Sequence, residues 1–320
     1  NGDGTWTITY AVVAANPSEV DLHYTLTDSL PDLPGGFALV DGWTLTPRAG
    51  TPGETTTAAS GDVELYEGTL AAGAAHTWDV TATLRLGTDA QVGQLEPCES
   101  SDGASGILNS ASVASGGYED EDDACVPVEL PEVGVAKSVV STTQGADGLW
   151  TVVYEVVVSN DSDLTAVYSL SDELHFGGDI TVESASWTGQ DGATGAFAAG
   201  ETSAVLATDR VLGAGTSETY RVTVVALVDP AAWGAAVDAG LTCPPGEDGV
   251  GGFLNSATVT FPGGSESAEG CSEPSLPDIA KDFVSVTQSD TDASRWTVVD
   301  TVTVTGGEHE TFYDISDVPA

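Results

Sequence analysis

Alternation of apolar and polar side chains, broken at short intervals by turn residues, is the dominant pattern along this chain, and it predicts strands rather than helices. Trp150-Thr-Val-Val-Tyr-Glu-Val-Val-Val158 shows it best. Its apolar positions alternate at first and then run together, as in a strand of a sandwich core. Asn16-Pro17 and Asn160-Asp161 supply the turns after two such strands. The chain is rich in Gly, Thr, Ser, Val and Ala, which fits the same reading. The expected fold class is all-β. Ala231–Gly240 is the one segment that reads as a short helix, placed in a connection.

The strand pattern repeats with a period of about 145 residues. Gly4-Thr-Trp6-Thr-Ile-Thr-Tyr10 matches Gly148-Leu-Trp150-Thr-Val-Val-Tyr154, and Ser294-Arg-Trp296-Thr-Val-Val-Asp300 is a third copy. Tyr24-Thr-Leu-Thr-Asp28 returns as Tyr168-Ser-Leu-Ser-Asp172 and as Tyr313-Asp-Ile-Ser-Asp317, and Trp43 matches Trp187. Gly106-Ile-Leu-Asn109-Ser-Ala returns as Gly252-Phe-Leu-Asn255-Ser-Ala. These landmarks predict three units: a first domain over 1–130 that lacks its opening strand, a complete domain over 131–275, and the start of a third over 276–320. Asn1 lies so near the first strand of a repeat that the sequence reads as a window from a longer chain, with targeting and anchoring elements expected outside it.

Lysine is almost absent, and that changes the picture. The two lysines of the chain occupy the same repeat position, in Val135-Ala-Lys137-Ser-Val and Ile279-Ala-Lys281-Asp-Phe. Each opens a block that later contains the aspartate of the Tyr-x-Leu/Ile-Ser-Asp motif, and complete blocks close with Leu-Asn-Ser-Ala. An amine attacks a carboxamide only when neutral, and burial in an apolar sandwich favours the neutral form. A buried, protonated carboxyl group can then shuttle the proton as ammonia leaves. The expected roles are Lys137 as nucleophile, Asn255 as electrophile on the last strand, and Asp172 as acid/base. Such a bond would close a loop of 118 residues, which is worth about 5 kcal/mol on the chain-entropy model. The plainer alternative makes Lys137 an exposed edge-strand charge, Asp172 a turn residue and Asn255 a partner to a strand bend.

By repeat mapping, Asp28 and Asn109 await a lysine ahead of residue 1, while Lys281 and Asp317 await an asparagine after Ala320. A competing arrangement joins Lys281 of one subunit to Asn109 of the next in a covalent fibre. Against it, residues 296–320 duplicate 6–31 and compete for the same strand slots.

Across nearly the whole chain, the repeat resembles the bacterial surface-protein repeat called domain of unknown function 11, and more loosely the isopeptide-forming domains of Gram-positive fimbrial proteins. The elements that carry the resemblance are the Lys137 strand, the Trp150–Val158 strand ending in Ser159-Asn160, Leu170-Ser-Asp172-Glu-Leu, and Leu254-Asn255-Ser-Ala-Thr-Val259. It implies immunoglobulin-like sandwiches strung in tandem on a cell surface.

The cysteines follow the same repeat. Cys98 and Cys125 bracket the first Leu-Asn-Ser-Ala strand, and Cys243 and Cys271 bracket the second. Four cysteines permit three pairings, and repetition selects one within each domain. No close Cys-x-x-Cys or Cys/His cluster suggests a metal. Disulfides imply an oxidising compartment, and closing loops of this size contributes about 3.5 kcal/mol each.

Charge then narrows the partners. Seven Lys+Arg against 50 Asp+Glu give a formal net charge of −43, which removes the groups that neutralise phosphate. No nucleic-acid or anionic-membrane partner is expected. Acidity of this size suits a secreted or a halophilic protein. The most continuous apolar run, Val222–Leu227, is followed by Asp229 and is too short to span a bilayer. Glu119–Asp123 carries the acids for calcium but reads as a solvated loop, and the turns at Asp3, Asp147 and Asp290–Asp292 complete no EF-hand. No cofactor is expected. His23, His76, His175 and His309 have no metal spacing, and no nucleophile elbow or phosphate loop is present.

The expected function is structural: a stalk or filament segment of a secreted bacterial surface protein, extracellular or in the cell wall. It would carry out no turnover beyond its own cross-linking, and its partners would be neighbouring repeats or subunits. The alternatives are an adhesin or carbohydrate-binding array that uses exposed aromatic faces, and an accessory region of a large secreted hydrolase.

Overall fold

A computed structural model describes residues 1–98, 104–229, 240–244, 249–275, 278–306, 313 and 315–318. The helix expected over Ala231–Gly240 falls on 231–239, outside the described residues. No α-helix occurs among those described, and the fold is all-β.

The first sandwich contains β1 (Thr5–Ala15), β2 (Leu22–Leu30), β3 (Phe37–Pro47), β4 (Thr56–Ala58), β5 (Gly61–Leu70), β6 (Ala75–Leu86), β7 (Glu96–Pro97), β8 (Ser105–Ser115) and β9 (Tyr118–Pro127). One sheet runs β1-β6-β3-β4; the other runs β5-β2-β8-β7, with β9 paired to β8. The second sandwich contains β10 (Val133–Gln144), β11 (Trp150–Asn160), β12 (Ala166–Leu174), β13 (Ile180–Gly189), β14 (Thr194–Ala196), β15 (Ser203–Leu212), β16 (Ser217–Val228), β17 (Asn255–Phe261) and β18 (Gly264–Gly270). Its sheets run β10-β11-β16-β13-β14 and β15-β12-β17-β18. The two orders correspond strand for strand, except that among the described residues nothing in the first sandwich takes the place of β10 and nothing in the second takes the place of β7. An antiparallel hairpin, β19 (Asp278–Gln288) and β20 (Trp296–Thr305), follows.

Alternation along the strands builds a separate core in each sandwich. Ile8, Tyr10, Val12 and Ala14 of β1 point inward and are buried, as are Val152, Tyr154, Val156 and Val158 of β11. Trp43 and Trp78 fill the first core and Trp150 the second. These tryptophans therefore pack inside rather than offering a face to sugars. β10 carries a bulge between Val139 and Ser141, which switches the inward face from Val135, Lys137 and Val139 to Thr142 and Gln144. The same bulge recurs in β19 between Phe283 and Ser285.

Two hairpins differ from the expected layout. Glu119–Asp123, read from the sequence as a solvated loop, forms the exposed middle of β9. The two-residue turn at Gly116-Gly117, with φ of 57° and 85°, sets a tight register against β8 that overrides the crowding of charge. Asn255, expected on the last strand, instead opens β17. The chain turns back at Pro262-Gly263, where Gly263 has φ of 93°, and adds β18 beside it.

Candidate functional site

Lys137 lies on β10 opposite Val156 of β11, with its side chain directed into the sandwich. Both its side chain and that of Asp172 are 0% exposed, and the Lys137 Nζ donates to Asp172 Oδ2 in a short contact. Nζ also donates to the Ser256 carbonyl at 3.3 Å and stands 5.3 Å from the centre of the Tyr154 ring. The plainer reading of an exposed edge lysine is thus corrected. The bulge after Val139 and the antiparallel register turn Lys137 inward, where an edge-guarding charge would point out.

Asp172 arrives from the facing sheet. It sits on β12 opposite Ala257 of β17, two residues past Asn255. Asn255 is completely buried, and neither its Oδ1 nor its Nδ2 has a hydrogen-bond partner among the described residues. Its amide still lies near enough to Asp172 to favour the carboxylate electrostatically, although the contact falls short of a hydrogen bond. Lysine, aspartate and asparagine, which the sequence placed on three separate strands, therefore converge at one buried point.

The electrostatics suit a proton exchange. Burial pushes the Lys137 ammonium below its ordinary range, against the opposing pull of Asp172. Burial likewise pushes the Asp172 carboxyl up, against Lys137 and Asn255. Both directions favour the neutral amine beside the neutral acid, because two desolvated charges cost more than they regain unless well hydrogen-bonded. A neutral amine at that point is a nucleophile. The carboxyl can take a proton from the attacking nitrogen and give one to the departing amide nitrogen, so that one carbon–nitrogen bond forms, another breaks, and ammonia leaves.

One further residue braces the site, and a second pins the turn at the end of the same strand; the hydrogen bonds of neither were read from the sequence. The Tyr154 hydroxyl donates to the Phe253 carbonyl at 2.6 Å, and Tyr10 does the same to Ile107 in the first sandwich. Each bond fixes the strand two residues ahead of the asparagine. Asn160 donates through Nδ2 to the carbonyls of Leu164, Leu212 and Gly213, and Asn16 makes the same set to Val20, Leu70 and Ala71. Tyr10 and Tyr154 sit 144 residues apart in the repeated strand, as do Asn16 and Asn160, so the spacing was there to be read.

The other two copies are incomplete in complementary ways. In the first sandwich Asn109 Nδ2 donates to Asp28 Oδ2 at 3.0 Å, while Asp28 Oδ1 and Asn109 Oδ1 are buried without partners. Burial raises the Asp28 carboxyl, opposed by the Asn109 bond. In the hairpin, Lys281 Nζ lies 2.7 Å from Asp317 and 3.7 Å from Asp300, with its side chain 44% exposed. Those partners raise the Lys281 ammonium, the opposite of Lys137, because burial is missing.

The disulfides join Cys98 to Cys125, with Cα atoms 5.4 Å apart, and Cys243 to Cys271, 6.0 Å apart. Each lies within one sandwich, as repetition required. Among the described residues no group of acids, histidines and cysteines is clustered to hold a metal ion.

No protein-family model matches the chain, and no curated protein matches it. The resemblance to the surface-protein repeat therefore rests on the quoted motifs. Among solved structures, the CupB6 tip adhesin from Pseudomonas aeruginosa is 11% identical, covering 83% of this chain and 89% of that one, with a TM-score of 0.34. A GH2 beta-galacturonidase from Eisenbergiella tayi is 13% identical with a TM-score of 0.19, covering 87% of this chain and 36% of that one. The exo-chitosanase CsxA from Amycolatopsis orientalis has the same identity and score, covering 80% and 25%. TM-scores this low leave the function to be read from the site itself.

Proposed function

We propose that this chain is a structural stalk or filament segment of a secreted bacterial surface protein, whose β-sandwich repeats are held by disulfides and welded by an amide bond between Lys137 and Asn255. The observation that carries the reading is the complete burial of Lys137 against Asp172, with the free amide of Asn255 beside them. A fully buried lysine is costly to keep as a mere structural cation. Conversion to a neutral amide removes that cost.

The disulfide supplies the second half of the mechanical argument. Asn255 opens β17, so an amide bond from Lys137 shields everything between them but leaves β17 and β18 on the loaded side. Cys271 follows β18, and its bond to Cys243 returns the load to a residue inside the shielded loop. Only the twelve residues from Cys243 to Asn255 then extend, roughly 40 Å at full stretch. Neither bond alone protects the whole sandwich.

The test is the mass of the intact chain after reduction and unfolding. A chain lighter than its sequence by one ammonia, with a branched Lys137–Asn255 peptide on digestion, supports the reading. The full sequence mass refutes it.

A further inference from the structure

Asn255 makes no side-chain hydrogen bond among the described residues, so its amide is aimed by the main chain on either side of it. Both flanks are held by His175. β12 pairs with β17 as far as Leu174 opposite Asn255, and His175 stands one step beyond. The His175 N–H donates to the Leu254 carbonyl at 2.8 Å, and the His175 carbonyl accepts from the Gly251 N–H at 3.1 Å. The imidazole Nε2 shares a 2.8 Å hydrogen bond with the Ser256 hydroxyl. One residue thus grips the strand immediately before and immediately after the asparagine.

Ser256 is also a fixed point for the lysine. Lys137 Nζ donates to the Ser256 carbonyl at 3.3 Å, so a shift of Ser256 disturbs the amine together with the asparagine. The main-chain bonds of His175 survive any substitution but proline, whereas the bond to Ser256 depends on the imidazole. His175 and Ser256 are only half-buried, and neither belongs to the hydrophobic core. In the repeat, Asp28-Ser29-Leu30-Pro31 aligns with Asp172-Glu173-Leu174-His175. Proline has no main-chain N–H and no polar side chain, so neither the N–H bond nor the imidazole bond can form in the first sandwich. There the Asn109 amide rests on Asp28.

We infer that His175 is a positioning residue for the amide bond between Lys137 and Asn255, acting through Ser256 to hold the asparagine Cγ in the path of the lysine amine. The inference rests on the chemistry proposed for that pair and adds no step to it. Lys137 Nζ attacks Asn255 Cγ, Asp172 takes the proton of the attacking nitrogen, the bond to Nδ2 breaks, and Asp172 gives a proton to the departing ammonia. Placement is what His175 supplies. A side chain without hydrogen bonds follows every movement of its own backbone, and a displacement of about 1 Å from the productive geometry costs a reaction about 100-fold. A single half-exposed hydrogen bond contributes little to folding, so its loss falls on the rate of the bond and not on the sandwich.

The experiment makes the full 320-residue chain by cell-free synthesis under oxidising conditions and quenches samples in denaturant at intervals. Mass and peptide mapping then time two events: loss of ammonia between Lys137 and Asn255, and closure of the Cys243–Cys271 disulfide, which reports folding of the same sandwich. His175→Ala and Ser256→Ala should each slow the loss of ammonia by about 10- to 100-fold, while the disulfide closes at the wild-type pace. The double variant should be no slower than either single one, because the same hydrogen bond is removed in all three. His175→Gln, whose amide reaches about as far as the imidazole Nε2 and can donate or accept, should restore most of the rate. Single effects that multiply in the double variant, failure of glutamine to rescue, or disulfide closure slowed in step with the amide would each overturn the inference. If wild type loses ammonia and His175→Ala and Ser256→Ala match its rate, this inference alone fails. If wild type never loses ammonia, the chemistry proposed for Lys137 and Asn255 fails, and this inference with it.

Discussion

Asn109 donates a 3.0 Å hydrogen bond to Asp28, whereas the equivalent pair in the second sandwich, Asn255 and Asp172, makes none, because Lys137 occupies the matching Asp172 oxygen. The difference isolates what the lysine does. It takes the carboxyl away from the asparagine and leaves the asparagine amide without a hydrogen-bond partner among the described residues.

Replacing Lys137 by Arg should therefore abolish the bond while keeping a cation. Guanidinium stays protonated in proteins and cannot act as the nucleophile. Intact mass should return to the full sequence value, and thermal unfolding should show the second sandwich weakened by about 5 kcal/mol, the loop-closure contribution of the lost link.

Asp172→Asn keeps the volume but cannot carry protons. Freshly refolded protein should form the amide at least about 100-fold more slowly than wild type, the low end of what a positioned acid/base supplies. A time course of the mass change after refolding measures it, and an unchanged rate would remove Asp172 from the chemistry.

Among the described residues no lysine faces Asp28, so the first sandwich should respond to pH through this aspartate. Its folded-state carboxyl lies above the ordinary 3.8, so its contribution to stability is whole below that value and is lost as pH rises through the raised one. Tyr10 and Asn109 face it, and neither supplies a cation. Asp28→Asn should be no more stable than wild type at pH 3, and more stable at pH 7 by about 1–3 kcal/mol, the cost of a buried polar group left unpaired. Unfolding monitored separately for the first sandwich at the two pH values checks the sign.

Much of this was legible because the chain repeats itself. Spacing alone paired Cys98 with Cys125 and Cys243 with Cys271, and alternation marked strands such as β11. The convergence of Lys137, Asp172 and Asn255 was harder, since they lie on β10, β12 and β17, and only the packing of one sheet on the other brings them together. The sequence also could not show that β18 follows the strand that Asn255 opens, because Gly264–Gly270 has little apolar content of its own and is held by its partner β17. For the same reason Glu119–Asp123 read as a loop: its strand character comes from the Gly116-Gly117 turn and from pairing with β8, not from its own side chains.

Pulling on single molecules should separate the two cross-links. With both intact, the second sandwich should lengthen by no more than about 40 Å, the reach of the segment from Cys243 to Asn255. Cys271→Ser should let the full stretch from Asn255 onward extend, and Lys137→Arg should expose the strands between β10 and β17. Equal extension in wild type and Lys137→Arg would mean the lysine carries no load.

The most direct measurement of the central claim is the mass of the whole chain after complete reduction and unfolding, followed by sequencing of its digest. The account predicts a deficit of one ammonia in the monomer, located in a single branched peptide that joins Lys137 to Asn255. The full sequence mass, with Lys137 and Asn255 recovered in separate linear peptides, would contradict it.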